Sequence, residues 1–261
     1  MDYETEAGDL WVEERQSKIL SLLKRDRRVE ADQLAQDFNV SRETIRRDLK
    51  IMEERGLIRR THGGALMNEQ SKESPFEQRR VSRIAEKRAL CQAAVSMMVP
   101  GGSYFIDAGS TTAIMGEFMA DLGELSIVTN SIELAMTVRK INPAIDVVLL
   151  GGSIGTDVPA TYGEMTLRQL RHFHADIALV SPVGIDPGVG VSYYDLAEAE
   201  LAGQMLENAR QKVVIADASK LGVVSRAIVS DCKEIDVLVT DESETSAYTE
   251  AGLRRVIRAA T

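Results

Sequence analysis

Residues 40–49 read Val-Ser-Arg-Glu-Thr-Ile-Arg-Arg-Asp-Leu, and this stretch decides the fold of the N-terminal part of the chain. Ser41 has the side chain of a good helix N-cap. The apolar residues Ile45, Leu49 and Met52 follow it at the spacing of one face of a helix. The pattern therefore predicts a helix that begins at Arg42 and leaves the charged residues near its start facing outward.

Two shorter helices are predicted upstream of this one. Apolar residues at helical spacing indicate a first helix over Val12–Lys24 and a second over Ala31–Phe38, with a turn at Asn39-Val40. Two helices joined by a tight turn are typical of a helix-turn-helix, which places the first turns of its second helix in the major groove of DNA. The side chains expected to reach base edges are Arg42, Thr44 and Arg46.

A short hairpin is predicted directly after the third helix. Gly56 is expected to end that helix, and Leu57–Ala65 then indicates two strands around a glycine turn, which together form a wing. The residues expected to contact DNA are Arg42, Glu43, Thr44, Arg46, Arg47, Lys50, Arg59, Arg60 and His62. The alternative is a charged helix in a three-helix bundle that contacts another protein, and such a module would show no salt-dependent binding to duplex DNA.

The same residues carry a resemblance to a known family. Residues 40–49, followed by Gly56 and by His62-Gly63-Gly64-Ala65, resemble the DNA-binding signature of DeoR-family bacterial transcriptional regulators. The resemblance implies that the partner of this module is double-stranded operator DNA.

Charge is distributed unevenly along the chain. Residues 12–66 contain 13 basic and 10 acidic residues, whereas the whole chain has a net charge of -9. Such asymmetry suggests a small module that meets a polyanion, attached to a larger body that does not.

The composition argues against several classes of protein. Hydrophobic residues make up 44% and charged residues 27%, close to the averages of globular proteins rather than of disordered or fibrous ones. Cys91 and Cys232 are too few for a disulfide framework, and neither they nor His172 and His174 show the spacing of metal ligands, so no metal and no cofactor is expected. The acidic start is unlike a secretion signal, and no segment approaches ~18 continuous apolar residues. We therefore expect a cytoplasmic protein without a membrane partner.

The rest of the chain predicts a linker and an α/β domain. Residues 67–83 are polar and lack an apolar period, which indicates a linker between a winged helix-turn-helix domain at residues 12–66 and a larger domain at residues 84–261. After a helix at Ile84–Met98, the predicted strands are Tyr104–Ile106, Ser126–Thr129, Asp146–Leu150, Ile177–Val180, Lys212–Ala216 and Asp236–Thr240. The helices between the first five strands are Thr112–Leu122, Ile132–Lys140, Gly163–Arg171 and Leu196–Ala209. This alternation predicts a largely parallel sheet covered by helices on both faces.

Small polar residues follow four of these strands, at the edge where ligands bind in such sheets. They are Asp107–Thr112, Thr129–Ser131, Gly151–Ser153 and Asp217–Lys220. Glycines allow close backbone approach, hydroxyls and helix N–H groups suit phosphate, and the last loop adds a lysine for an anion and an aspartate for sugar hydroxyls. One such loop alone would be an ordinary set of caps and turns. The four loops together predict a site for a phosphorylated polyol.

These loops also resemble the sensor domain of DeoR regulators, which is similar in fold to ribose-5-phosphate isomerases. The resemblance thus covers nearly the whole chain and implies a Rossmann-like α/β sensor domain, with Gly163 and Glu198 at the pocket or its supports. Ser110, Ala218 and Ser181-Pro182 depart from the residues that the family usually shows. The candidate effector-binding residues are Asp107, Gly109, Ser110, Thr111, Thr112, Thr129, Asn130, Ser131, Gly151, Gly152, Gly163, Glu198, Asp217, Ser219 and Lys220.

The expected function is a repressor of sugar-catabolism genes that a phosphorylated sugar controls and that works as a homo-oligomer, either a dimer or a tetramer. No catalytic residue is assigned. The alternative is a sugar-phosphate isomerase-like enzyme, which would need a carboxylate base and would turn over substrate without the N-terminal module. The carboxylates available for that role are Asp107, Asp186, Glu198 and Glu200. Tyr193 and Tyr194 lie in a glycine-flanked loop and suit either closure over a ligand or cover of the sheet edge.

Overall fold

The computed structural model describes residue 12 and residues 15–23, 28–54, 58–61, 63–67 and 73–260. The chain divides into two compact units between Ser74 and Pro75. The predicted positions Lys24, Gly56, Leu57 and His62 lie outside the described residues, as does the side chain of Arg59.

The first unit combines three helices with a small sheet. In chain order its elements are helix α1 at residues 15–23, strand β1 Arg28–Glu30, α2 Ala31–Asp37, α3 Arg42–Glu54, β2 Ile58–Thr61 and β3 Gly64–Met67. The three strands are antiparallel in the order β1-β3-β2. The predicted helix pair and the hairpin after it are confirmed. The sequence did not predict β1, whose three residues pair with β3 across the unit.

Ser41 begins α3 as the sequence predicts. Its Oγ accepts a hydrogen bond of 3.0 Å from the backbone N–H of Thr44, which satisfies one of the amides that a helix leaves unpaired at its start. Ile45, Leu49 and Met52 are buried on the inner side of the helix. They pack in one core with residues of all three strands and of the other two helices.

A buried ion pair joins α1 to α3. The Nε of Arg15 lies 2.5 Å from Oδ2 of Asp48, and both residues are at most 9% exposed. The side-chain amide of Gln16 donates to the other carboxylate oxygen at 3.4 Å. Asp48 therefore holds α1 against the inner side of α3, although it lies between residues expected to face DNA.

The predicted linker at residues 67–83 is too long at both ends. Met67 is the last residue of β3, and residues 76–81 form a helix. Phe76 is 2% exposed and packs against Val158 and Ala160 of the larger unit. Most residues near Phe76 in the sequence are polar, so the sequence pattern did not predict this apolar contact.

The larger unit is built on a seven-stranded parallel sheet. Its elements in chain order are α4 Phe76–Val81, α5 Ile84–Val95, β4 Ser103–Ile106, α6 Thr112–Met115, β5 Ser126–Thr129, α7 Ile132–Ile141, β6 Asp146–Leu149, β7 Ser153–Ile154, β8 Thr161–Tyr162, α8 Glu164–Leu170, β9 Ala175–Val180, β10 Gly184–Asp186, β11 Gly190–Tyr193, α9 Leu196–Glu207, β12 Ala209–Ile215, β13 Ala227–Ser230, β14 Val237–Thr240, α10 Ser246–Glu250 and β15 Arg255–Arg258. The order in the large sheet is β15-β14-β12-β9-β4-β5-β6.

Alternate residues of the strands build a core on each face of this sheet. Phe105 and Val214 lie in one core with α9, while Tyr104 and Val213 lie in the other with α5 and α7. This alternation follows from the two-residue period of a strand. It confirms the prediction of a parallel sheet covered on both faces.

All six predicted strands are present, and the differences lie around them. The sequence missed edge strand β15, which has an arginine at each end, the β7-β8 hairpin and the small sheet β10-β11-β13. The helix predicted over Thr112–Leu122 ends at Met115 and continues as a 3₁₀ turn over Gly116–Phe118. There the chain approaches α7 so closely that a Cβ on Gly116 would lie 2.9 Å from Cγ2 of Thr137. The helix predicted over Ile84–Met98 ends at Val95, and that over Leu196–Ala209 ends at Glu207.

Within the described part of the chain, no helix has the length and apolar character needed to cross a membrane.

The buried pair predicts an asymmetry between single and double variants. We expect Asp48→Ala to lower the free energy of unfolding of the N-terminal unit by roughly 3 to 5 kcal/mol, because it leaves the Arg15 charge buried without a partner. Replacing both residues, as Arg15→Met with Asp48→Leu, is expected to recover most of that loss. Urea unfolding followed by far-ultraviolet circular dichroism measures both, with the exposed Asp37→Ala as control. Equal losses in the single and double variants would contradict this role of the pair.

Candidate functional site

The residues predicted to meet DNA are presented by the outer side of α3. Arg46, Arg47 and Lys50 are exposed, and the Arg46 guanidinium is 3.9 Å from the carboxylate of Glu43. Arg42 is also exposed, and its guanidinium lies 2.8 Å from a carboxylate oxygen of Asp32 on α2. The side chains expected near the start of α3 thus lie on one accessible surface.

Two of the residues predicted to contact DNA, Thr44 and Arg60, also make hydrogen bonds within the N-terminal unit. The Thr44 hydroxyl lies 2.8 Å from the Ser41 hydroxyl, so part of its hydrogen-bonding capacity serves the helix cap. Arg60 lies on β2, where its backbone N–H donates to the carboxylate of Glu53 at 2.8 Å and its guanidinium remains accessible. Asp32 and Glu53 were not anticipated as partners of this surface, because their proximity depends on how α2 and β2 pack.

In the larger unit, the point where the chain changes direction across the sheet lies beside β4. The chain runs from β4 to β5 and β6 on one side, and then returns to β9 on the other side of β4. The connections therefore part from each other beyond the carboxyl ends of β4 and β9, which creates the crevice where ligands bind in open α/β sheets. Asp107 follows β4 directly, and Ser181 follows β9.

Asp107 is a buried carboxylate with one satisfied oxygen. Its Oδ2 accepts hydrogen bonds from the backbone N–H of Ser181 at 3.0 Å and from the Tyr193 hydroxyl at 2.8 Å. Its Oδ1 is buried and has no hydrogen-bond partner among the described residues. Burial raises the pKa of Asp107 to about 6, although the bonds from Ser181 and Tyr193 and the charge of Lys220 limit the rise.

Asn130, directly after β5, has a second buried oxygen without a hydrogen-bond partner in the described part of the chain. Its Nδ2 donates to the backbone carbonyl of Thr161 at 3.2 Å, while its buried Oδ1 is likewise without a partner in the described structure. Ile106 pairs with Thr129 in the sheet, so Asp107 and Asn130 occupy neighbouring positions one residue beyond that pair. Buried acceptors of this kind cost free energy until a donor reaches them. Two adjacent ones favour a ligand with hydroxyl groups.

Two lysines bring positive charge to the same edge of the sheet. The Lys220 Nζ donates to the Ser181 hydroxyl at 3.0 Å and to the Pro182 carbonyl at 2.6 Å. Lys87, on α5, is 3% exposed and donates to the Ser110 hydroxyl at 3.1 Å. Burial, together with the nearby charge of Lys220, lowers the pKa of Lys87 to about 8. Ser181 connects the two parts of the site, because its amide holds Asp107 and its hydroxyl holds Lys220.

Other predicted effector residues support the loops by local hydrogen bonds. The Thr129 hydroxyl donates to the Ile106 carbonyl at 2.6 Å, and the Ser131 hydroxyl caps α7 by accepting from Leu134 N at 3.2 Å. The Thr112 hydroxyl lies 3.3 Å from the Gly109 carbonyl. Thr111 is buried, and its carbonyl accepts from the Cys91 thiol at 3.1 Å. These hydrogen bonds hold the loops that shape the site.

Asp217, which the sequence predicts to hold sugar hydroxyls, makes several contacts through one carboxylate oxygen. Its Oδ1 accepts from Ser219 N at 2.9 Å and lies 3.0 Å from Nε of Arg83. The Ser219 hydroxyl bonds to the same oxygen at 2.5 Å. Asp217 thus orders the loop that carries Lys220.

The predicted glycines bring the β6 loop and α8 together. A Cβ on Gly152 would lie 2.1 Å from the Thr166 hydroxyl, so no larger residue fits there. Gly151 N–H donates to the side chain of Gln169 at 2.9 Å, and Gly163, which precedes α8, has a φ of 106°. These positions fix backbone next to the site.

Glu198 is held by a tyrosine that the sequence did not single out. The Tyr162 hydroxyl, at the end of β8, donates to Oε1 of Glu198 at 3.2 Å. Burial raises the pKa of Tyr162, and the charge of Glu198 raises it further. The phenol therefore stays a donor and orients the carboxylate.

The structure distinguishes the two tyrosines of the glycine-flanked loop. Tyr193 is 3% exposed and belongs to the site through Asp107. Tyr194 lies beneath the guanidinium of Arg226, which is 4.8 Å from the ring centroid.

Lys87 and Ser181 were also missed by the sequence reasoning. The spacing of Lys87 from Leu90 and Cys91 places it on the buried face of α5, and this was the signal that could have found it.

Among the described residues, no group of three or more His, Cys, Asp and Glu side chains is placed to hold a metal ion. His172 and His174 are both exposed.

Comparisons with known proteins follow the division into two units. Residues 15–71 match the family model described as DeoR-like helix-turn-helix domain, and residues 82–242 match the model described as DeoR C terminal sensor domain. The chain belongs to the DeoR family of transcriptional regulators.

Several curated DeoR-like relatives align over most of the chain. The HTH-type transcriptional regulator GolR of Listeria innocua is 30% identical, over 92% of this chain and 96% of its own. The HTH-type transcriptional repressor GlcR of Bacillus subtilis is 31% identical, over 92% of each chain. The glycerol-3-phosphate regulon repressor of Escherichia coli is 28% identical, over 87% of this chain and 90% of its own. Among solved structures, ribose 5-phosphate isomerase from Plasmodium falciparum aligns over 52% of each chain, with 18% identity and a TM-score of 0.38.

The raised pKa of Asp107 predicts a pH dependence of stability. Because the folded chain holds a proton here up to a pKa of about 6, against an ordinary value of 3.8, this group stabilises the fold increasingly as the pH falls below 6. Asp107→Asn has no titrating group at this position and lacks that gain. When the pH is lowered from about 7 to 5, the free energy of unfolding of the wild type should therefore rise by about 1 kcal/mol relative to that of the variant. Denaturant titrations at several pH values measure it. A difference that is constant with pH would show that Asp107 titrates normally.

Proposed function

We propose that this chain is a DNA-binding repressor of sugar-catabolism genes, and that a phosphorylated sugar bound at the carboxyl edge of the larger sheet controls it. It acts in the cytoplasm as a homo-oligomer, a dimer or a tetramer, so that two DNA-binding units can meet two operator half-sites. It carries out no reaction on the sugar. The observation on which the proposal rests is the pair of buried acceptor oxygens on Asp107 and Asn130. Two ammonium groups lie at the same edge of the sheet: the charge of Lys220 acts on Asp107, and Lys87 bonds to Ser110 in the loop after β4.

The ligand chemistry follows from the polar groups at this edge of the sheet. The two acceptors need donors, which sugar hydroxyls supply without bringing charge into a buried place. The two ammonium groups carry positive charge, and a phosphate forms strong charge-assisted hydrogen bonds with such groups. A free sugar supplies only the hydroxyl donors, and inorganic phosphate supplies only the anion. The relative that represses the glycerol-3-phosphate regulon is consistent with an effector that combines the two.

DNA recognition follows from the outer side of α3. The exposed Arg42, Arg46, Arg47 and Lys50 present positive charge there, and the helix begins with amides that favour phosphate. Binding that depends on such contacts weakens steeply as the salt concentration rises. Operator DNA is therefore the partner of this unit.

A thermal-shift screen of the full chain tests the effector. The ligands are glycerol 3-phosphate, pentose 5-phosphates and hexose 6-phosphates, each compared with its unphosphorylated form and with inorganic phosphate. Because a ligand of the native state raises stability by mass action, we expect a rise in Tm with one phosphorylated sugar and not with its parent sugar. Equal shifts with the phosphate alone would contradict a sugar site, and no shift with any compound would contradict the proposal.

The DNA-binding unit gives the next prediction. Arg46→Ala should cost about 1 to 3 kcal/mol of DNA-binding free energy, because it removes an arginine from the helix that enters the major groove. It should leave the sugar-phosphate thermal shift unchanged. Fluorescence anisotropy with a duplex selected from a random library by the wild-type protein measures the first effect. Arg210→Ala removes an exposed arginine from the larger unit and serves as control. Loss of sugar-phosphate binding in Arg46→Ala would count against separate roles for the two units.

A matched pair of lysine variants tests the phosphate contact. Lys220→Met keeps the length of the side chain but removes its charge, and we expect the Kd for the sugar phosphate to rise at least about tenfold. Lys140→Met makes the same change at an exposed position in the last turn of α7, and its Kd should equal that of the wild type. Isothermal titration calorimetry measures both. Equal affinities for the two variants would remove Lys220 from the phosphate site.

A further inference from the structure

Residues 75–83, which we call the strap, belong to neither of the two regions matched by the family models except at their last two positions. The strap contains α4 and leads directly into α5. In the sequence it connects the DNA-binding unit to the larger unit, and by its contacts it is part of the larger unit. Its side chains and backbone meet the loops of the candidate effector site one after another.

The start of the strap is fixed on the loop before β8. The backbone N–H of Phe76 lies 3.0 and 3.1 Å from the two carboxylate oxygens of Asp157. The Phe76 ring packs against Val158 and Ala160, and partly buried residues of the Asp107–Thr112 region and of β8 complete this cluster. The cluster therefore joins the strap to the loop after β4.

The later part of the strap is held by ion pairs to the start of α7 and to two loops. The Arg80 guanidinium lies 3.2 Å from the carboxylate of Glu133 at the start of α7. The Arg83 guanidinium lies 3.0 Å from Asp217 and 3.0 Å from Asp241, after β12 and β14. Arg83 adopts the left-handed conformation, with a φ of 50°. Such a conformation is unfavourable for arginine and persists where surrounding contacts maintain it.

Lys87 is shared between the strap and the effector site. Its ammonium donates to the backbone carbonyl of Arg79 in the strap and, at 3.1 Å, to the Ser110 hydroxyl in the loop after β4. A phosphate oxygen that reaches this loop makes a stronger, charge-assisted bond to the ammonium than a neutral carbonyl does. An entering phosphate would therefore bind the same ammonium that holds the strap.

We propose that the strap is the element through which occupancy of the effector site reaches the DNA-binding unit. This inference rests on the proposed sugar-phosphate site. A ligand shifts a conformational equilibrium only if it interacts differently with the two states. Here the difference is built in, because Lys87, Asp217 and the loop after β4 hold the strap and also form or order the effector site.

Weakening the anchors of the strap should uncouple the two activities. Asp157→Ala and Arg80→Ala each remove one anchor, and neither side chain is among the effector residues. The readout is the ratio of the DNA Kd with and without a saturating amount of the glycerol, pentose or hexose phosphate that stabilises the wild type most. In the full-chain variants we expect this ratio to be at least about fivefold closer to one than in the wild type. The Kd for the sugar phosphate should stay within about threefold of the wild-type value.

Asp121→Ala, which removes an exposed carboxylate before β5, is the control and should keep the wild-type ratio. Thermal unfolding identifies a variant that fails to fold. Because Asp157 and Arg80 hold different parts of the strap, the variant that folds then tests the proposal by itself. If both variants keep the wild-type ratio, the strap does not transmit the signal, whereas the proposed function stands. If both variants lose more than about tenfold in affinity for the sugar phosphate, the strap forms part of the binding site and does not transmit the signal. If the wild type binds none of the sugar phosphates, the proposed function and the strap proposal both fail.

Discussion

The candidate site depends on the burial of one carboxylate where the chain changes direction across the sheet. Asp107 lies beyond β4, and its Oδ2 is satisfied by Ser181 beyond β9 and by Tyr193 on β11. These bonds connect strands that are distant in sequence, and they keep Oδ1 in a place that water reaches poorly. A buried oxygen without a donor is unfavourable for the unliganded protein. The fold maintains it because the large cores on both faces of the sheet fix the strands that carry these groups.

The two units use charged residues in opposite ways. On α3, the arginines that face outward keep their charge accessible, while Asp48 on the inner side is neutralised by Arg15. In the larger unit, the informative charges are buried: the ammonium of Lys87 and the carboxylate of Asp107 both have pKa values moved toward neutrality. Exposed charge suits a polyanion whose counterions are released on binding. Buried, incompletely paired charge suits a small ligand that completes the pairing.

The sequence predicted the elements whose signals are local, and it missed contacts that only tertiary packing creates. Ser41 and the apolar spacing of Ile45 and Leu49 were sufficient for α3, and short apolar segments separated by helices were sufficient for six strands of the large sheet. β1 and β15 were missed, because a short or charged edge strand owes its structure to the strand beside it. For the site, the position of Asp107 after a buried strand was a usable signal. Lys87 lies three and four residues before Leu90 and Cys91, on the buried face of α5, but a charged residue was taken as solvated in spite of that spacing.

The orphan acceptors bear more on specificity than on affinity. Apolar pockets discriminate weakly between similar ligands, whereas a site built to pair with a hydroxyl rejects an analogue that lacks it by roughly 10⁴-fold, because its own buried groups then stay unpaired. Asp107 and Asn130 supply two such groups on adjacent strands. In the proposed function the lysines bind the phosphate that all these ligands share, so the choice among phosphorylated compounds falls to the two oxygens. Substitutions at Asp107 and Asn130 should therefore change which sugar is accepted, while substitutions at Lys220 should weaken all of them alike.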